Sequence, residues 1–278
     1  MEILQLIVNG ILLGGIYGLL GVGMAIIFGI VRLTNLVHGE FVILGAYGAV
    51  LVSQILGADP IVTLVVTIPA MFAMGYLLQR CLINMAMDRG GEPALLVTFG
   101  VSIILQDALL LLFTSDARHA AASYSTRVLH IGGLDISLLN IVLFVLCLAT
   151  TGALTLFLNR SYIGRAIRAV SDDPAAASLS GVNVRRIYAV AMGTAMATAA
   201  VAGLCVGMKW TFYPSSGNQY LLISFIVVVI GGMGSIPGTL LGGLVFGLAQ
   251  VIGGANYGLL ISYAVMLLVL ALRKGDHF

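Results

Sequence analysis

Charge is what this sequence has least of. Only 9% of its 278 residues are Asp, Glu, Lys or Arg, against 60% that are hydrophobic, whereas a soluble domain carries about 25% charged residues. That shortage excludes a soluble globule, and a formal net charge of +2 is too small to suit a nucleic-acid partner. Lysine is rarer still. Lys209 and Lys274 are the only two, neither sits in a glycine-rich nest, and no GxxxxGKS/T loop occurs. ATP hydrolysis by that route is therefore excluded for this chain. Cys81, Cys147 and Cys205 are odd in number and scattered, which gives no disulfide framework or metal spacing; they are expected to pack as small apolar residues. No nucleophile and base constellation is visible, so no catalytic residue and no metal ligand is assigned. The start, Met1-Glu2-Ile3, lacks the basic region of a cleavable signal, and the first apolar stretch is expected to stay as an anchor.

What the chain has is apolar runs. A spanning helix needs about 20 apolar residues to cross roughly 30 Å of hydrocarbon. Six runs serve: Ile3 to Ile30, Phe41 to Leu56, Ile61 to Leu82, Leu95 to Phe113, Leu138 to Leu158 and Ile187 to Met208. From Trp210 to Leu272 no residue is formally charged, and glycine clusters cut this stretch into Leu221 to Ile230, Thr239 to Gly253 and Leu259 to Leu272. The first piece is too short to cross alone, which marks a discontinuous segment. The reading is an all-α, polytopic transmembrane helical bundle of about nine segments with broken or re-entrant helices, forming one transmembrane domain over residues 1–278. Gly10, Gly14 and Gly18 leave a bare ridge on the first segment for close helix packing.

Interruptions locate polar groups. Arg32 to Glu40, which includes Asn35, His38 and Gly39, separates the first two runs; Arg32, His38 and Glu40 are expensive in lipid, and two readings fit them: a place at the cytoplasmic membrane surface between helices, or a broken helix whose end borders a pathway. Asp107 is an intramembrane acid. Gly232, Gly234 and Gly238 break the late apolar stretch, and a bilayer tolerates such backbone only where it is buried in protein or lines water. Asn35, His38, Gly39, Glu40, Asp107, Gly232, Gly234 and Gly238 are the candidates for a translocation pathway. Asn84 to Pro93 reads as a polar loop. Thr114 to Ser137, with Arg118, His119, Arg127 and His130 dispersed through it, reads as an external loop.

The longest charged connection, residues 159–186, carries Arg160, Arg165, Arg168, Arg185 and Arg186 against only Asp172 and Asp173. Asp173 before Pro174 is an N-cap followed by proline at the first helical position. Three alanines and Leu179 propagate a helix, and Gly181 ends it; about two turns are predicted, roughly 10 Å. Asp172 stands four residues after Arg168, where the two can pair. Such an element is either a docking knob for a soluble partner or an ordinary loop whose arginines fix topology. If it is cytoplasmic and nine segments cross, ten basic residues lie inside and Arg118, Arg127 and Lys209 outside. That agrees with the positive-inside rule and puts the N-terminus outside and the C-terminus inside.

Resemblance joins these features. Gly164-Arg165-Ala166-Ile167-Arg168-Ala169 through Asp172, Ala176, Leu179, Gly181, Val182 and Asn183 resembles the cytoplasmic coupling loop of bacterial branched-chain amino acid ABC transporter permeases of the LivH type. Asn35-Leu36-Val37-His38-Gly39-Glu40 and Gly231-Gly232-Met233-Gly234-Ser235-Ile236-Pro237-Gly238 are similar to two further motifs of that family, and the likeness spans nearly the whole chain. It implies a permease subunit in the bacterial inner membrane that imports branched-chain or other hydrophobic amino acids. It implies a second related permease, two ATPase subunits holding ATP and Mg, and a periplasmic substrate-binding protein, with membrane lipid around it and no cofactor on this chain. The ATPase-coupling residues are then Gly164, Arg165, Arg168, Ala169, Asp172, Asp173, Pro174, Ala176, Gly181 and Asn183. Leu36-Val37 departs from the usual Phe-Ala, and the ending Arg273 to Phe278 lacks the usual proline. Permeases for urea or short amides share the architecture, and a stand-alone secondary transporter and a membrane enzyme are the alternatives from other classes.

Overall fold

The computed structural model describes residues 2–131 and 133–272; the basic ending at Arg273 and Lys274 lies outside them. The apolar runs become helices, because a backbone surrounded by hydrocarbon must satisfy its own hydrogen bonds. In chain order these are α1 Glu2–Ile26, α2 His38–Leu56, α3 Leu64–Leu78, α4 Asn84–Met87, α5 Gly91–Phe113, α6 Leu138–Arg160, α7 Tyr162–Asp172, α8 Pro174–Leu179, α9 Val184–Lys209, α10 Gly217–Gly231 and α11 Ile236–Leu272. Irregular turns extend several of them: π segments at Ile27–Val31 and Gln79–Ile83, and 3-10 turns at Pro60–Thr63 and Pro214–Ser216. Eight of the resulting helical units are long and apolar enough to cross a membrane. A ninth, Asn256–Leu272, is shorter and is split from the rest of α11 at Gly254, whose φ of 62° and ψ of −166° leave the helical region.

Four details differ from the sequence reading. Asn84 to Pro93 is not one loop: the helix continues through α4 and resumes at Gly91. Gln79 Nε2 donates to Asn84 Oδ1 (3.0 Å), and Asn84 Nδ2 donates to the Arg185 carbonyl (3.2 Å), so Asn84 is held by the bundle, while Gln79 Oε1 is buried without a partner among the described residues. The late piece at Leu221 to Ile230 is longer than expected, since Pro214–Gly231 forms 18 residues of apolar helix. The chain is not wholly helical, because the connection after α5 holds a hairpin of β1 Val128–Ile131 and β2 Leu134–Ser137. The cysteines are also not all buried: Cys147 and Cys205 pack with their sulfurs 3.9 Å apart as free thiols, and Cys81 is exposed.

The glycine ridge of α1 does what its spacing predicts. A Cβ on Gly14 would lie 2.6 Å from the Leu244 Cα, and one on Gly10 would lie 3.0 Å from the Leu248 Cα. α11 therefore lies backbone to backbone against α1. Together with α2, α9 and α10, α1 forms the buried middle of the molecule, whereas α3, α5 and α6 present Leu77, Leu96, Leu111 and Val145 outward. That distribution suits a surface facing lipid.

Two polar ends result. At one end the Gln5 side chain bonds the Asp135 backbone at 2.7 and 3.0 Å, and Tyr124 Oη donates to Asp59 Oδ1 at 3.3 Å. Burial, then the Asp59 charge, pushes the Tyr124 phenol up to about 12, which keeps that donor protonated. At the other end lie the close of α1, Asp88, α7 and α8.

Candidate functional site

Among the candidate pathway residues, Asn35, His38, Gly39 and Glu40 come together. The chain leaves the π segment at Arg32, in the left-handed region at φ 54°, turns back, and begins α2 inside the bundle rather than at its edge. His38 Nε2 lies 3.1 Å from the Leu20 carbonyl, beside the middle of α1. Asn35 and His38 are fully buried and Glu40 is 1% exposed. This overturns the surface reading for His38 and Glu40, since α2 begins within the bundle. Arg32 alone stays at the edge, where its guanidinium donates to the Ser171 carbonyl at 2.9 Å.

Glycine makes that placement possible. A Cβ on Gly39 would overlap the Gly217 carbonyl, and one on Gly217 would overlap the Glu40 carboxyl. The first turn of α2 and the first turn of α10 thus touch through bare backbone in the bundle interior. Around this crossing, His38 Nδ1 and both Glu40 carboxyl oxygens are buried without a hydrogen-bond partner among the described residues. A buried polar group without a partner costs about 1–3 kcal/mol, so the cluster is poor as pure scaffold. It can serve as a polar station for a polar or ionic group.

The remaining pathway candidates lie elsewhere. Asp107 is exposed on the flank of α5, away from the cluster. Gly232, Gly234 and Gly238 form the α10–α11 turn, and a Cβ on Gly29 would meet the Gly234 Cα at 2.7 Å. That turn packs on the end of α1 and walls a cavity of about 270 Å³ shared with Ile167, Arg168 and Ser171 of α7. The late glycine motif therefore belongs with the charged loop.

The loop itself is two helices. Ser161 caps α7 by accepting from the Gly164 N–H at 2.8 Å, and Gly164 is buried because a Cβ there would overlap the Leu158 backbone. Ile167 and Val170 face inward. Ser171 Oγ donates to the Gly29 carbonyl at 2.5 Å. Arg168 donates to the Leu158 carbonyl and to Asn159 Oδ1, not to Asp172. The fold-back of α7 onto the end of α6 gives it carbonyl acceptors that a helix C-terminus otherwise leaves unsatisfied. Asp173 Oδ1 accepts from Ala175 N–H (2.8 Å) and Ala176 N–H (3.0 Å), with Pro174 at the first helical position, and Gly181 takes φ 84°. Asn183 Oδ1 caps α9 through the Arg186 N–H at 3.0 Å. Of the coupling candidates, Arg165, Arg168, Ala169, Asp172, Asp173, Ala176, Gly181 and Asn183 are exposed, Gly164 is buried and Pro174 is half-buried.

Leu179, which is absent from the coupling candidates, is 91% exposed at the tip of α8. A leucine as the last residue of a short capped helix was the available signal. The arrangement is mechanical: an apolar tip on a short helix, joined by α7 to the ends of α1 and α6 and by Asn183 to the start of α9.

Residues 6–270 match the family described as branched-chain amino acid transport system, permease component. The chain is 32% identical over 291 residues to the high-affinity branched-chain amino acid transport system permease protein BraD of Pseudomonas aeruginosa, covering 97% of this chain and 94% of the relative. It is 31% identical over 286 residues to the corresponding permease protein LivH of Salmonella typhimurium and 30% identical over 286 residues to that of Escherichia coli K12. Each LivH comparison covers 96% of this chain and 92% of the relative. No solved structure matches the chain significantly.

Proposed function

Because this chain belongs to the permease family of branched-chain amino acid transport systems, we propose that it is the membrane-spanning subunit of an ATP-driven importer of leucine, isoleucine and valine. It works with a second, related permease, with two ATPase subunits that hold ATP and Mg, and with a periplasmic binding protein. The end bearing α7 and α8 faces the cytosol, so the N-terminus is outside and the C-terminus inside, in a bacterial inner membrane. Near-full-length likeness to BraD and LivH favours this cargo over urea or short amides.

One observation carries the coupling role: the exposed Leu179 tip on a capped helix whose arm is bonded to the end of α1. When the ATPases close, α8 moves with them. α7 transmits the displacement to the π segment of α1 and to the α10–α11 turn, and so to the buried crossing of α2 and α10. A short rigid helix suits this because its ends are fixed by caps rather than by length. Asn35, His38, Gly39 and Glu40 line the pathway where it is narrowest. Gly164 and Arg168 set the angle of the arm, and Ala176, Leu179 and Gly181 meet the ATPase.

The test is reconstitution. The chain, co-expressed with the products of its neighbouring genes and placed in proteoliposomes with binding protein and internal ATP, should accumulate labelled leucine. Uptake by the lone chain without nucleotide would refute the proposal.

A further inference from the structure

At the end opposite α8, a cavity of about 670 Å³ opens among α1, the hairpin, the start of α6, the end of α9 and the middle of α11. That volume lies within the roughly 300–1,000 Å³ of small-molecule sites, which combine apolar walls with a few polar groups. Three kinds of chemistry meet in it. The first is a cation: Lys209 Nζ donates to Asn140 Oδ1 at 2.6 Å and takes no part in either ion pair found among the described residues. An ammonium has three donors, so this bond leaves capacity for an anion. The second is an acceptor, the Gln250 Oε1, buried without a hydrogen-bond partner among the described residues. The third is an apolar wall, with Tyr17 and Trp210 stacked at 5.9 Å between ring centroids and Leu13 beside them.

A neutral solute leaves Lys209 without a counter-charge, and a simple anion leaves Gln250 Oε1 without a donor. A zwitterion with a hydrocarbon side chain satisfies all three. We infer that this cavity is the receiving site for a branched aliphatic α-amino acid, its carboxylate on Lys209 Nζ, its ammonium on Gln250 Oε1 and its side chain against Tyr17 and Trp210. His130 and Asp135, 2.5 Å apart, line the exposed rim and already pair with each other. The inference rests on the import reading above and on this end facing the binding protein. It adds a binding step, within the permease itself, before the buried α2–α10 crossing.

The sequence supplies its own reporter, since Trp210 is its only tryptophan. The full chain in phospholipid nanodiscs is titrated with L-leucine, L-isoleucine, L-valine, leucinamide, which lacks the carboxylate, and 4-methylpentanoate, which lacks the ammonium. All three amino acids should shift Trp210 emission saturably, with each one-charge analogue at least about tenfold weaker. Lys209→Gln should weaken leucine by a similar factor and abolish discrimination against leucinamide. Gln250→Leu should do the same for 4-methylpentanoate, and Lys209→Arg should retain binding. Equal leucine responses in wild type and Lys209→Gln would overturn the site. So would silence of wild-type Trp210 in a chain whose assembled transporter imports leucine under ATP. If the assembled transporter imports none of the three amino acids, the import reading falls first and takes the site with it.

Discussion

At the scale of single residues, the crossing of Gly39 and Gly217 is the feature with least room for change. Alanine at 39 meets a backbone carbonyl, which cannot rotate away, whereas alanine at 217 meets the end of the flexible Glu40 side chain. Gly39→Ala should therefore lower stability by about 1–3 kcal/mol, the usual range for overpacking, seen as a fall in the melting temperature of the detergent-solubilised chain. Gly217→Ala should leave melting nearly unchanged and reduce uptake by displacing the carboxyl. Equal melting losses for the two would contradict the geometry. Sequence reasoning found these polar residues but could not place them. Histidine and glutamate beside an arginine fit a membrane-surface position as well as a broken helix, and only the return of the chain into the bundle, made possible by two glycines far apart in sequence, buries them. Arg168 illustrates the same limit, because local spacing offers it Asp172 and the fold-back of α7 offers it the end of α6.

The α7–α8 arm belongs to the scale of elements, and there the sequence was more informative. Asp173, Pro174 and Gly181 act within a few residues of themselves, so their roles as cap, first helical residue and left-handed stop were legible and are realised. Asp173→Ala should cost about 1 kcal/mol of local helix stability, raising hydrogen exchange of the α8 amides by about fivefold, with membrane insertion intact. Gly181→Pro cannot take a positive φ and should abolish uptake in the assembled transporter while the chain still reaches the membrane; normal uptake would refute the coupling role. The hairpin at 128–137 was not legible. Its strands are only four residues each, and its position depends on the distant Gln5.

For the whole molecule, the apolar runs and glycine ridge gave the helices and the contact between α1 and α11, because hydrocarbon dictates helices and bare backbone dictates close packing. Where the runs are broken by glycine, the segment boundaries moved, since a 3-10 turn or π segment prolongs a helix without a hydrophobic signature. Orientation is testable at this scale. On a cysteine-free background, Thr126→Cys should react with an impermeant maleimide in intact spheroplasts and Ser180→Cys only after permeabilisation. The opposite pattern would invert the proposed topology.

In the proposed transporter, force enters the bundle through the tip of α8. The most direct measurement places a photo-crosslinking amino acid at Leu179 in the assembled transporter and identifies the adduct after illumination. A covalent product with an ATPase subunit, formed in a nucleotide-dependent yield, is the predicted result; a transporter that imports leucine under ATP while Leu179 crosslinks only to lipid or to the binding protein would contradict it.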